Sequence, residues 1–193
     1  MNHTAARPGR SLSQVRLILG SLAGGVAGYL GEVVHHWAGV WEMPGTSGQP
    51  PWIFAVYAAV LYVAGWCFFA VERRLAFPLA PTLRATLLEV AGMVVLFLGV
   101  AAAYRHELTL ALVLVAGLGV RLIRFRAPGD VLLALFTAGL DYALESGLAA
   151  AGLYEYRVAA WTALPLWLAP FWACMGLGLR RLYTLTTVTS ATT

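Results

Sequence analysis

Val90–Val120 reads VAGMVVLFLGVAAAYRHELTLALVLVAGLGV, and this stretch decides the fold. From Val90 to Ala103 no side chain is polar. After Tyr104-Arg105-His106-Glu107 a second apolar run begins, and from Leu108 to Val120 its one polar side chain is Thr109. Extended outward to the nearest breaks, the runs cover about 85–104 and 107–124, and roughly 20 apolar residues are what a helix needs to cross a bilayer. The connection between them is so short that the two helices must form an antiparallel hairpin.

The rest of the chain repeats this pattern. Further apolar runs fall at about 16–38, 52–71, 131–150 and 161–181, which gives six spans, with boundaries good to a few residues. The breaks between them carry turn residues: Met43-Pro44-Gly45-Thr46-Ser47-Gly48-Gln49-Pro50-Pro51, Phe77-Pro78, Ala80-Pro81, and Ala127-Pro128-Gly129, with Asp130 positioned to cap the fifth span. Of the 193 residues, 60% are hydrophobic and 11% are charged, against about 45–50% and about 25% in soluble domains. The expected architecture is an all-α polytopic membrane protein, a bundle of six transmembrane helices. A polar N-terminal arm (1–15) precedes the membrane domain (16–183), and a flexible Thr/Ser-rich tail (184–193) follows it. Arg7, Arg10 and Arg16 precede the first run as in a secretory signal, but that run continues to about Ala38. A signal core has only about 7–15 residues, so the segment reads as an uncleaved first span.

All 13 basic side chains are arginines, and the formal net charge is +4. They flank the apolar runs instead of forming one stripe, so they specify topology and not a nucleic-acid surface. With the N-terminus in the cytoplasm, that side holds Arg7, Arg10, Arg16, Arg73, Arg74, Arg84, Arg121, Arg124, Arg126, Arg180 and Arg181. The opposite side holds Arg105 and Arg157 alone. Both termini are then cytoplasmic, which an even number of spans requires. Cys67 and Cys174 lie inside spans and read as buried structural cysteines.

The chain also carries an internal repeat. Glu32, Gly39, Val40, Trp41 and Glu42 recur at the same spacing as Glu145, Gly152, Leu153, Tyr154 and Glu155. Pro51-Trp52 and Pro165-Leu166-Trp167 follow the two blocks. Spans one and two therefore match spans five and six as a parallel repeat.

Ionisable residues within spans are costly and face a bundle interior or a wet cavity. Asp141 and Glu145 are four residues apart and share a helix face, with Tyr142 and Ser146 beside them. Two carboxylates that close in a low-dielectric medium resist ionising together, which suits a polar head-group cradle or a proton relay. Glu32 and Glu145 can equally be read as interfacial groups that touch water; Asp141 lies deeper. Glu89 is close to Arg84 and reads as one half of an interfacial ion pair. His35 and His36 are adjacent, so they point about 100° apart on a helix and do not share a metal ion easily. No metal or cofactor site is expected. Trp37, Trp41, Trp52, Tyr154, Tyr156 and Trp161 read as an aromatic belt, while Trp167 and Trp172 are deep enough to line a cavity. Gly20, Gly24, Gly25, Gly28 and Gly31 give the first span a small-residue packing face.

Residues 107–182 resemble the Insig family of sterol-responsive membrane regulators, which has prokaryotic relatives. Glu107-Leu108-Thr109-Leu110-Ala111-Leu112 is similar to the family's Gln-Leu-Ser-Leu-Thr-Leu-Ala segment. Ala151-Gly152-Leu153-Tyr154-Glu155-Tyr156 is similar to its Asn-Gly-Val-Tyr-Gln-Tyr. Leu164-Pro165 and Leu179-Arg180-Arg181-Leu182 resemble its Trp-Leu-Pro and Gly-Arg-Gln-Leu ending, and Arg124 and Arg126 match the arginines of its Asp-Arg-Ser-Arg loop. Upstream, Leu96-Phe97-Leu98-Gly99-Val100 is similar to Val-Phe-Val-Gly-Ile, and Pro50-Pro51-Trp52 faintly to Trp-Val-Pro-Pro. The loop aspartate that animal members need for their regulatory partner aligns with Ile123, and the loop after span three is shorter, so the resemblance does not extend to that partner. It implies six spans and a lipid-accepting cavity.

The function expected from these readings is non-catalytic binding of a neutral lipid, diacylglycerol-like or sterol-like, in the plasma membrane of a prokaryote. Asp141, Tyr142, Glu145, Glu32, Trp167 and Trp172 are the candidate lipid-binding residues. A homo-oligomer is compatible with this reading, and no membrane-protein partner is identified. Two alternatives remain. One is a membrane enzyme like the carotenoid hydratases and lycopene cyclases, in which Asp141, Glu145 and Glu32 protonate a polyene. The other is a small transporter. The cavity discriminates among them: an apolar cleft open to lipid, a closed polyene tunnel, or a wet path along the pseudo-symmetry axis.

Overall fold

The computed structural model describes residues 10–46, 48–75, 82–124, 129–153, 155–158 and 164–190. Pro78, Pro81, Arg126, Pro128, Tyr154 and Trp161, singled out above, lie outside them. The helices are α1 (Gln14–Ala38), α2 (Trp52–Leu75), α3 (Leu83–Ala103), α4 (Glu107–Arg124), α5 (Asp130–Ala150) and α6 (Leu168–Thr187). Four short strands complete the chain: β1 (Arg10–Leu12), β2 (Trp41–Glu42), β3 (Glu155–Tyr156) and β4 (Val188–Ser190). The protein is an all-α membrane-type bundle, and α1, α2, α3 and α5 are each long and apolar enough to cross a bilayer. The other two helices are more polar: α4 carries Glu107, Arg121 and Arg124, and α6 carries Arg180, Arg181 and three threonines.

The helix ends follow local chemistry. Ser13 and Thr82 cap α1 and α3 by accepting from the amides of Arg16 and Ala85. Gly39 ends α1 at φ 77°, a left-handed conformation that glycine adopts without a Cβ penalty. Two expectations need correction here. Asp130 does not cap α5, because Gly129 occupies the cap position at φ 83°. Asp130 instead stands in the first turn, buried against Arg180 at 2.5 Å. The sixth helix also starts later than the hydropathy suggests. Pro165 is fully buried in a turn closed by the bond from the Leu168 amide to its carbonyl. Pro170 then falls in the first helical turn, where a missing N–H leaves no helical bond unmade.

Packing is organised around α6, which touches each of the other five helices. Leu168, Phe171, Leu177 and Arg180 on it, and Trp167 just before it, are almost completely buried. A central helix meets protein on all sides, so its polar residues find protein partners instead of lipid. By contrast Leu87, Leu88, Val94 and Val95 of α3 and Leu112, Val113 and Val115 of α4 are exposed. That apolar exterior is the reverse of a soluble surface. The glycine face of α1 seats α2: a Cβ on Gly25 would lie 3.1 Å from the Phe54 carbonyl oxygen. Gly24, Gly28 and Gly31 press on Leu61, Tyr57 and Phe97, whereas Gly20 faces open space and is not part of that contact.

The two ends of the bundle differ. At the arginine-rich end, Glu89 of α3 accepts from Arg121 of α4 at 2.6 Å and meets Arg181 of α6 at 3.3 Å. Arg84, the partner expected from proximity in sequence, is exposed. Beside this network β1 pairs antiparallel with β4, with Ser11 opposite Thr189. At the other end β2 pairs with β3, with Trp41 opposite Tyr156 and Glu42 opposite Glu155. The repeat equates Glu42 with Glu155, and the ribbon places these two residues opposite each other. Gly39 and Gly152, also equated, both have positive φ, 77° and 67°.

Candidate functional site

The repeat predicts matching contacts, and one of them is missing. α1 packs on α6, but α2 and α5, the pair related to them, do not close on each other. A cavity of about 340 Å³ fills the opening, a size in the range of small-molecule sites. Its walls are overwhelmingly apolar. Leu61 and Phe68 of α2, Leu148 of α5 and Trp172 of α6 contribute to them. Tyr57 stacks on Trp172 with ring centroids 6.3 Å apart. Exposed Val63 and Leu140, from the two flanking helices, also line the cavity, so its mouth opens sideways between α2 and α5.

The polar groups gather toward the β2–β3 ribbon. Glu32, Asp141 and Glu145 all line the cavity. Glu32 accepts from the Trp41 indole at 2.6 Å and from the Tyr57 hydroxyl at 2.5 Å. Glu145 accepts from the Tyr156 hydroxyl. The paired residues of the ribbon, Trp41 and Tyr156, therefore hold one repeat-related carboxylate each. Asp141 differs, because its Oδ2 is buried and has no hydrogen-bond partner among the described residues. It is an acceptor presented to the cavity.

The six candidates divide. Asp141, Glu145, Glu32 and Trp172 meet at the cavity. Tyr142 is 38% exposed on the outer surface of α5 and is outside the lining. Trp167 is 2% exposed and lies behind the wall, edge-on to Tyr156 and Phe171. Trp167 immediately precedes α6 whereas Trp172 lies within it, and only Trp172 lines the opening. Sequence reasoning missed Tyr57, and it assigned Trp41 and Tyr156 to an interfacial belt. Trp41 is 5% exposed and turned inward, unlike Trp37 at 80%. The repeat singled out Trp41 but equated it with Tyr154, which lies outside the described residues, and not with Tyr156, which holds Glu145. His35 bonds the Phe97 carbonyl at 3.0 Å, and the His36 ring lies against Trp41, so the two imidazoles serve separate contacts.

No protein-family model matches the chain, and no curated protein sequence matches it. Solved structures do. The chain is similar to the crystal structure of the Insig homologue MvINS from Mycobacterium vanbaalenii, with a TM-score of 0.73 over 90% of this chain and 94% of that one. The fold is that of an Insig homologue. Sequence identity is 19%, so it is the helix arrangement that is shared. A cross-linked trimer of the same mycobacterial protein matches equally, at TM-score 0.73 over 91% of this chain and 95% of that one. The Insig-like fold agrees with the motif resemblance in residues 107–182 and extends it to the first half of the chain, where the motifs are faint.

Proposed function

We propose that this chain is a non-catalytic membrane protein that holds one neutral lipid, diacylglycerol-like or sterol-like, in the cavity between α2 and α5. The observation that carries the reading is the unmatched Asp141 oxygen in an otherwise apolar cleft. A buried acceptor without a donor costs about 1–3 kcal/mol, and a lipid hydroxyl entering from the side supplies the donor. Acyl chains or a ring system then lie along Leu61, Phe68 and Trp172. A phosphate group is disfavoured because it meets three carboxylates. The sideways mouth favours lipid exchange over a closed polyene tunnel or an aqueous path, so binding ranks above catalysis and transport. All six helices span the membrane on this reading, with both termini cytoplasmic by the arginine asymmetry. A homo-oligomer, by analogy with the cross-linked trimer of the mycobacterial protein, belongs to the same proposal. The test is mass spectrometry of co-purifying lipid. Asp141→Leu combined with Glu145→Leu leaves a folded protein with at least about tenfold less retained lipid, a loss equivalent to one good hydrogen bond. Unchanged lipid occupancy in the double variant rules α5 out as the head-group site.

A further inference from the structure

Several carboxylates away from the cavity have arginine partners: Glu89 has Arg121 and Arg181, Asp130 has Arg180, and Glu42 has Arg157. Three others, Glu32, Asp141 and Glu145, line the cavity. Among the described residues no arginine contributes to its lining, and His35 Nδ1 lies 3.9 Å from Glu32. Glu32 and Glu145 are held by neutral donors from Trp41, Tyr57 and Tyr156, and Asp141 keeps a buried oxygen without a donor. The same wall carries Trp41, Trp52, Tyr57, Tyr156 and Trp172. Acidic oxygens beside aromatic faces form the lining that attracts an organic cation, by charge-assisted hydrogen bonds and by the negative face of the rings.

We infer that the cavity accepts long-chain amines, with the ammonium group at Asp141 and the alkyl chain along the α2–α5 cleft. This inference rests on reading the cavity as an amphiphile site and specifies the head group that site prefers. The ammonium supplies the positive charge that arginine supplies elsewhere in the protein. It also brings N–H donors to the unmatched oxygen, with further acceptors on the neighbouring carboxylates. An alcohol of the same chain length offers one donor and no charge, so both ligands fit the cleft but the amine binds more tightly.

The probes are dodecylamine and dodecanol, identical in chain length. Each is titrated into the purified full-length protein in a maltoside detergent, and one-to-one adducts are counted by native mass spectrometry. The expected result is half-occupancy by dodecylamine at a concentration about tenfold below that for dodecanol, since charge-assisted hydrogen bonds are roughly twice as strong as neutral ones. Asp141→Asn with Glu145→Gln keeps size and shape, so the fold is retained, and it brings the ratio to about one. Equal affinities for amine and alcohol in the unmodified protein overturn the inference and leave the neutral-lipid reading standing. Adducts with neither probe overturn both. An amine preference that survives in the double variant places the ammonium elsewhere and overturns the assignment to Asp141.

Discussion

Arg180 and Asp130 illustrate what a single residue pair does in this bundle. Their side chains are 1% and 5% exposed, with nitrogen and oxygen 2.5 Å apart. Neither group is isolated from its partner, yet neither is solvated, so removing Arg180 leaves Asp130 buried without its cation. Such a loss costs about 3–5 kcal/mol, whereas replacing both partners with apolar residues is close to neutral. Arg180→Met should therefore lower the thermal unfolding midpoint markedly, and Arg180→Met with Asp130→Leu should recover most of it. Equal midpoints for the single and double variants would show that the pair contributes no coupling. At this scale the sequence was partly legible. Its carboxylates were recognisable as costly, but their partners were not, because Glu89 meets arginines from α4 and α6 instead of its neighbour Arg84. Partner choice depends on which helices are adjacent, and hydropathy carries no information about that.

At the scale of the element, apolar run length identified six helices, and the turn residues bounded most of them. The glycine face of α1 is a more selective statement. Gly25 lies where a Cβ meets Ala58 and the Phe54 carbonyl at 3.0 and 3.1 Å, and Gly20 faces nothing within 4 Å. Gly25→Leu should push α1 from α2 and destabilise the bundle by about 1–3 kcal/mol, the usual range for overpacking. Gly20→Leu should be tolerated. The check is a comparison of detergent-resistant folded fraction for the two variants, and similar losses for both would contradict the packing described. Spacing alone marked both glycines as one face. What separates them is where α2 crosses α1, a tertiary fact. The same limit explains Trp167 and Trp172: both were recognised as deep, but which of them meets the cavity depends on where α6 begins and how it is turned.

For the whole molecule, the reading of six spans with cytoplasmic ends makes Thr46 and Ser190 lie on opposite sides of the membrane. Cysteine substituted at each position should react with an impermeant reagent from opposite sides in oriented membranes; reaction from the same side would defeat the topology. The repeat was the most informative global signal in the sequence. It singled out the related glycines and glutamates, but not the ribbon that joins them. The cavity was beyond its reach, because the cavity exists where the two halves fail to match. α1 closes on α6, while α2 and α5 stay apart. A pattern of residue types can reveal symmetry, but a departure from symmetry is decided by side-chain volume across an interface.

The central position of α6 has a consequence for how the protein is made. It touches each of the other five helices, yet it is the last of the six to leave the ribosome. During synthesis Asp130 enters the membrane before Arg180 exists, and Glu89 enters before Arg181. Tyr183, whose hydroxyl bonds the Leu61 carbonyl and meets Ser21, arrives later still. The five earlier helices can form contacts of their own, α1 on α2 and Glu89 with Arg121 among them, but the core that α6 fills is completed last. A nascent chain stalled before α6 therefore holds Asp130 without Arg180, and the docking of α6 supplies the missing cation.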